Sequence, residues 1–128
     1  MSRDAVPADL DAIEVMAREY YRAFDVPWPY DGGAVKRFIA AMIGADNAVV
    51  IVSDAGFLVG VKQPHPVSPR WIVASEVMWW GDAGLIRRFR KWASDADEVR
   101  YSCPPAAKAQ KMFARRGNVS ETVFSEVL

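Results

Sequence analysis

The stretch Trp71-Ile72-Val73-Ala74-Ser75-Glu76-Val77-Met78-Trp79-Trp80-Gly81-Asp82-Ala83-Gly84 decides the fold. Its first part is rich in β-branched and aromatic residues and free of Gly and Pro, so it reads as a long strand. One face would carry Trp71, Val73, Ser75, Val77 and Trp79, the other Ile72, Ala74, Glu76, Met78 and Trp80. Gly81-Asp82-Ala83-Gly84 then makes a tight turn. From 84 to 94 the period changes. Leu85, Ile86, Phe89, Trp92 and Ala93 recur at spacings of three and four, which predicts a helix. A strand that turns through glycines into a helix presents unpaired backbone N–H groups and the positive end of the helix dipole, where an anion such as a pyrophosphate can sit.

Upstream, Ala48-Val49-Val50-Ile51-Val52 is a short β-branched run, read as a strand buried on both faces. Asp54-Ala55-Gly56 turns it back into a second strand over Phe57 to Lys62. Pro64, Pro66 and Pro69 hold a loop before the long strand. Two helices come first. One spans 9–24, with Leu10, Ile13, Met16, Ala17, Tyr20, Tyr21 and Phe24 on its apolar side and Asp9 as its cap. Val26-Pro27-Trp28-Pro29-Tyr30 breaks it. The other spans 33–43, with Val35, Phe38, Ile39, Met42 and Ile43 inward and Gly44 as C-terminal cap.

Downstream, 97–102 reads as a strand. Pro104 and Pro105 open a helix that runs to Arg116 and is capped by Gly117. Thr122 to Val127 alternates and reads as a closing strand. The predicted order is α-α-β-β-β-α-β-α-β, a single α/β (α+β) domain over 1–128 with a mixed central sheet and no repeat or linker. Little room remains for a strand before Asp9, and the sequence does not say whether that edge of the sheet is exposed.

The 128 residues suit one domain, and 52% apolar residues support a core, which excludes a disordered chain. No apolar stretch is long enough to span a membrane, and the start lacks a signal-peptide core. One Cys excludes an intramolecular disulfide framework and suggests a reducing, cytoplasmic setting. Sixteen basic and sixteen acidic residues cancel, so a generic nucleic-acid binder is disfavoured. The cancellation hides two blocks. Residues 84–116 carry nine basic groups against three acidic ones, a surplus of six. The rest carries seven basic against thirteen acidic, a deficit of six. Such polarity would steer anions to one side and cations to the other, and would let copies associate head to tail.

Several residues invite a chemical reading. Glu76 is a carboxylate on an apolar strand face, where burial should raise its pKa toward that of a working general base; facing a solvent-filled cleft or pairing with an Arg is its structural alternative. Arg87, Arg88, Arg90 and Lys91 place positive charge on the helix after the turn, within reach of phosphates, or form a solvated face. Asp82 at the helix start would accept the N–H groups that an anion needs. His65 is the only His and has no partner ligand, so no metal site is expected. Cys103, Ser53 and Ser75 lack the neighbours of a nucleophile. Trp28, Tyr30, Trp71, Trp79, Trp80 and Trp92 read mostly as core, with Trp28 and Tyr30 in the loop between the first two helices.

The order of elements and the residues at their joints resemble the GNAT superfamily of acyl-CoA-dependent N-acetyltransferases, in particular the short members that phage genomes encode. Pro7-Ala8-Asp9-Leu10 looks like the family's entry into its first helix. Ala74 to Trp80 looks like its fourth strand, and Leu85 to Ala93, with Phe89 and Trp92, like the helix after its cofactor loop. Met112-Phe113-Ala114-Arg115-Arg116-Gly117, with Glu121-Thr122-Val123-Phe124, looks like its closing pattern.

The resemblance implies acetyl-CoA as co-substrate, with no metal, and an unidentified amine as acceptor. Glu76 would be the base. Met78, Trp79, Trp80, Gly81, Ala83, Gly84, Arg87 and Arg88 would hold the cofactor, backbone N–H groups near Met78–Trp80 polarising the acyl carbonyl. Trp28 and Tyr30 would border the acceptor. The chain departs from the pattern at three points. The loop is short and lacks the family's leading Arg or Gln, it carries Asp82 where a phosphate would meet a negative charge, and Phe113 stands where the family often has a Tyr that protonates the leaving thiolate. Those departures motivate an alternative: a GNAT-fold phage protein that has lost catalysis and serves as a virion-associated, host-targeting or self-associating module.

Overall fold

A computed structural model describes residues 1–24, 26–103, 108–119 and 124–128. Its elements are β1 (Arg3–Asp4), α1 (Leu10–Ala23), α2 (Gly32–Gly44), β2 (Ala48–Ser53), β3 (Gly56–Pro64), β4 (Ile72–Trp80), α3 (Ala83–Trp92), β5 (Glu98–Arg100) and α4 (Lys108–Ala114), with single 3₁₀ turns at Pro7–Asp9 and Ala93–Asp95. The sheet order is β1-β2-β3-β4-β5. All pairings are antiparallel except β4 with β5, which run parallel. The class is α+β, as the sequence pattern indicates.

The sheet separates two apolar layers. On one face Ile13 and Ala17 of α1 and Ile39 of α2 pack on Val50, Val52, Phe57 and Val59. On the other, Leu85, Ile86 and Phe89 of α3 pack on Val49, Ile51, Leu58 and Ala74. Alternate residues of β2 therefore serve opposite layers, which is why its sequence is continuously apolar. Ser53 pairs with Gly56, so the hairpin turn is the two residues Asp54-Ala55.

Several sequence expectations need correction. A strand does precede Asp9. Arg3 and Asp4 pair with Val52 and Ile51, and the Ala5 N–H donates to the Val50 carbonyl at 2.8 Å, so β1 lines that edge of β2. Asp9 does not cap α1. Its Oδ2 accepts from the Val6 N–H at 2.8 Å, and both its oxygens take Arg3, at 2.8 and 2.7 Å, which lowers its pKa to about 2. Asp31 caps α2, accepting from the Ala34 N–H at 3.0 Å. Gly44 ends α2 without a left-handed φ, and Phe38 lies at the surface instead of inward. β5 keeps three residues of the six expected. The start of the Pro104–Arg116 helix lies outside the described residues, as does the first part of the Thr122–Val127 strand. Phe124 to Leu128 is exposed and carries no strand.

Candidate functional site

β4 and β5 pair only at Val73–Glu98, Ala74–Val99 and Ser75–Arg100. Beyond that point β4 continues to Trp80 paired, among the described residues, with β3 only, so the two parallel strands form a fork. At the fork β4 also carries a bulge. Val59 faces Met78 and Gly60 faces Glu76, which leaves Val77 as an extra residue. One inserted residue reverses side-chain parity. The expectation that Glu76 shares a face with Ala74, Met78 and Trp80 is thereby corrected. Ala74 belongs to the α3 layer, whereas Met78 and Trp80 pack on the α1–α2 layer.

Glu76 stands at this changeover and is buried, 8% exposed. Its Oε2 accepts from the Ser102 N–H at 3.2 Å and from the Ser102 hydroxyl at 2.9 Å. Burial raises its pKa, and the two Ser102 bonds, which favour the charged form, pull it part of the way back. Tyr20 of α1 and Cys103 are near enough to feel its charge. Each is pushed up by burial first and by Glu76 second. Tyr20 meets Trp80 edge-on, ring centroids 6.3 Å apart. The sequence gives no hint of Tyr20 or Ser102 here, because both contacts join elements distant along the chain.

The turn after β4 is built around Gly81, which has φ +123°. That backbone region suits glycine and strains other residues. The β2–β3 hairpin packs tightly on it: a Cβ at Gly56 would collide with the Trp80 carbonyl and lie 2.8 Å from the Gly81 Cα. Asp82 caps α3. Its Oδ1 accepts the Gly84 N–H at 2.8 Å and its carbonyl accepts the Leu85 N–H at 3.3 Å. The Trp79 indole N–H donates to the same carbonyl at 3.2 Å. The turn therefore brings Trp79, Trp80, Gly81, Ala83 and Gly84 together, with the Gly84 donor occupied by a carboxylate.

The two named arginines part company. Arg88 reaches across to the N-terminal strand, bonding Asp4 Oδ1 at 3.1 and 3.3 Å and the Ser2 carbonyl at 3.5 Å. Arg87 instead lines a groove of about 400 Å³, counting its solvent-open part, between α3 and α4. Arg90, Arg116, Tyr101 and Phe113 line it too, with Ala83, Ile86 and Met112. Tyr101 stacks on Phe113 at 4.5 Å and 10°, and the Arg90 guanidinium donates to its hydroxyl at 3.2 Å. Helical spacing carries the signal for Arg90, which lies one turn from Arg87. Arg116 and Tyr101 join them only through the tertiary fold.

Trp28 and Tyr30 cluster with α1. Tyr21 lies 5.3 Å from each of their rings. The Tyr30 hydroxyl donates to buried Glu14 at 2.9 Å, and Arg18 bonds the same carboxylate oxygen at 2.8 Å. Both bonds lower the Glu14 pKa. Tyr30 is thus tied down, and Trp28 is half-exposed beside it. Among the described residues, no helix is long and apolar enough to cross a membrane, and no group of three His, Cys, Asp or Glu side chains could hold a metal.

No family model matches the sequence, and no curated protein does. Solved structures match over nearly the whole chain. A "predicted acetyltransferase with acetyl-CoA" from Clostridium acetobutylicum superposes with a TM-score of 0.74 at 8% identity, covering 98% of this chain and 95% of that one. A ribosomal-protein-alanine N-acetyltransferase from Brucella melitensis gives 0.67 at 12% identity, covering 100% and 97%. The fold is that of the GNAT acetyltransferases. A protein described as a transcriptional regulator, from Bacillus halodurans, shares this GNAT fold as well, with a TM-score of 0.74 at 12% identity over 100% and 99%.

Proposed function

We propose that the protein transfers an acetyl group from acetyl-CoA to an amine, in the cytoplasm. The observation that carries this reading is the fork between β4 and β5. It holds a buried carboxylate, Glu76, and lies beside an arginine-lined groove. Arg87, Arg90 and Arg116 suit the phosphates of CoA, because guanidinium forks match phosphate oxygens in charge and geometry. In the reaction the amine nitrogen attacks the thioester carbonyl carbon and the C–S bond breaks. The proton lost by the amine passes to Glu76, directly or through water, and the departing thiolate takes a proton from solvent. On the side turned away from β3, backbone N–H groups of Met78–Trp80 would polarise the carbonyl. Trp28 and Tyr30 border the acceptor.

Calorimetry with acetyl-CoA and with CoA tests the reading. Binding is expected, weakened about tenfold by Arg87→Ala and again by Arg90→Ala, since a charge-assisted bond contributes roughly 1.5–3 kcal/mol. No detectable binding at millimolar ligand overturns it. One observation favours a second reading. Asp82 places a carboxylate on the turn where a pyrophosphate would seat. A chain that keeps the fold without the cofactor would act as a binding module, in a phage virion, on a host protein or with copies of itself. An ordered assembly without CoA binding would support that reading.

A further inference from the structure

Ser102 lies two residues past the last paired residue of β5 and reaches back across the fork to Glu76. Its N–H and its hydroxyl both donate to the same oxygen, Oε2, at 3.2 and 2.9 Å. Among the described residues no hydrogen bond reaches Oε1. None of their buried side-chain oxygens lacks a partner either, so Oε1 opens to water. The chain itself restricts where such donors can come from. Pro104 and Pro105 have no backbone N–H, so Ser102 and Cys103 carry the last ones before the proline pair.

A buried carboxylate without donors drifts to its neutral form and turns freely about its last torsion. Two donors converging on one oxygen prevent both: they fix the carboxyl plane and favour the charged form. We propose that Ser102 is the positioning residue of this site, pinning Glu76 by Oε2 across the β4–β5 fork so that Oε1 is the oxygen that receives the acceptor's proton. The role in proton transfer rests on the acyltransfer reading. The pinning of the carboxylate does not.

The experiment separates the two. In the full chain with ¹³C-labelled glutamate, the Glu76 carboxyl resonance is followed through a pH titration. Ser102→Ala should move its midpoint up, and Ser102→Thr, which keeps both donors, should restore it. In acetyl transfer, Ser102→Ala should lower kcat about tenfold at neutral pH with the KM for acetyl-CoA unchanged, and the acid limb of the pH–rate profile should follow the same midpoint. If Ser102→Ala does not fold, Ser102→Cys, a weaker donor, should give an intermediate midpoint. A midpoint that stays where it was in the folded variant overturns the proposal. A midpoint that moves while the native chain acetylates no amine supports the pinning and overturns the acyltransfer reading.

Discussion

Glu76 is held between two opposing influences. Burial favours its neutral form, and the two Ser102 donors favour its charge, with burial prevailing. The sign for stability follows. Its pKa is higher in the folded chain than in the unfolded one, so over the interval between those values the folded state binds more protons. Stability from this group is full at the acid end and is lost as pH rises through the folded value. Glu76→Gln keeps an acceptor for Ser102 and removes the buried charge. The melting temperature of Glu76→Gln relative to the native chain should therefore rise from pH 4 to pH 7, by a few degrees if ~1 kcal/mol is at stake; a gap that is flat or shrinks with pH contradicts the assignment. The residue itself was legible in the sequence, as one charge in an apolar strand. Its partners were not, because Ser102 and Tyr20 meet it only once the β4–β5 register and the α1 packing are set.

At the scale of elements, the turn from β4 into α3 matters most. Asp82 contributes to this turn in two ways, as a cap and as a negative charge. The two are separable by substitution. Asp82→Asn keeps an acceptor for the Gly84 N–H and removes the charge. Acetyl-CoA should then bind several-fold tighter in calorimetry with the melting temperature nearly unchanged. Asp82→Ala removes the cap as well and should cost about 1 kcal/mol of stability in denaturant titration. Equal affinity in Asp82→Asn and the native chain would place the phosphates away from this turn. The helices and the β2–β3 hairpin were readable because a period of 3.6 or 2 persists over enough residues to register. β1 was not, since two residues carry no period and are held by the Arg88–Asp4 pair 84 positions away. β5 was overread for the converse reason: 97–102 alternates, yet the chain leaves the sheet after Arg100 so that Ser102 can turn to Glu76.

Over the whole molecule, the neutral total charge conceals a basic segment, 84–116, against an acidic remainder. Part of the basic surplus is spent internally, since Arg88 is given to Asp4. Arg87, Arg90 and Arg116 remain on the groove. Binding that depends on exposed guanidinium groups is screened by salt, with a Debye length of ~10 Å at 0.1 M. The affinity for acetyl-CoA should fall several-fold between 50 and 500 mM salt, measured by calorimetry. Insensitivity to salt would mean that the groove arginines do not meet the phosphates. The charge polarity was visible in the sequence. That Arg87 and Arg90 join Arg116 in one groove was not, because α3 and α4 come together only through β5. Trp28 and Tyr30 share one loop and both pack on Tyr21, whereas the Glu14–Arg18 pair that fixes Tyr30 hides within an ordinary helical pattern.

The bulge at Val77 acts on the sheet as a frame shift acts on a code. Before it, even-numbered residues of β4 face α3; after it, odd-numbered ones do, as Ala74 and Trp79 show. Two diverged chains compared by their inward and outward pattern would agree up to Glu76 and then slip by one. Deleting the extra residue, Val77, would return β4 to plain alternation and leave Trp79 and Trp80 opposite Leu58 and Phe57, in the layers they occupy now. The position of one extra residue, more than the identity of the residues around it, is what an alignment of this fold must preserve.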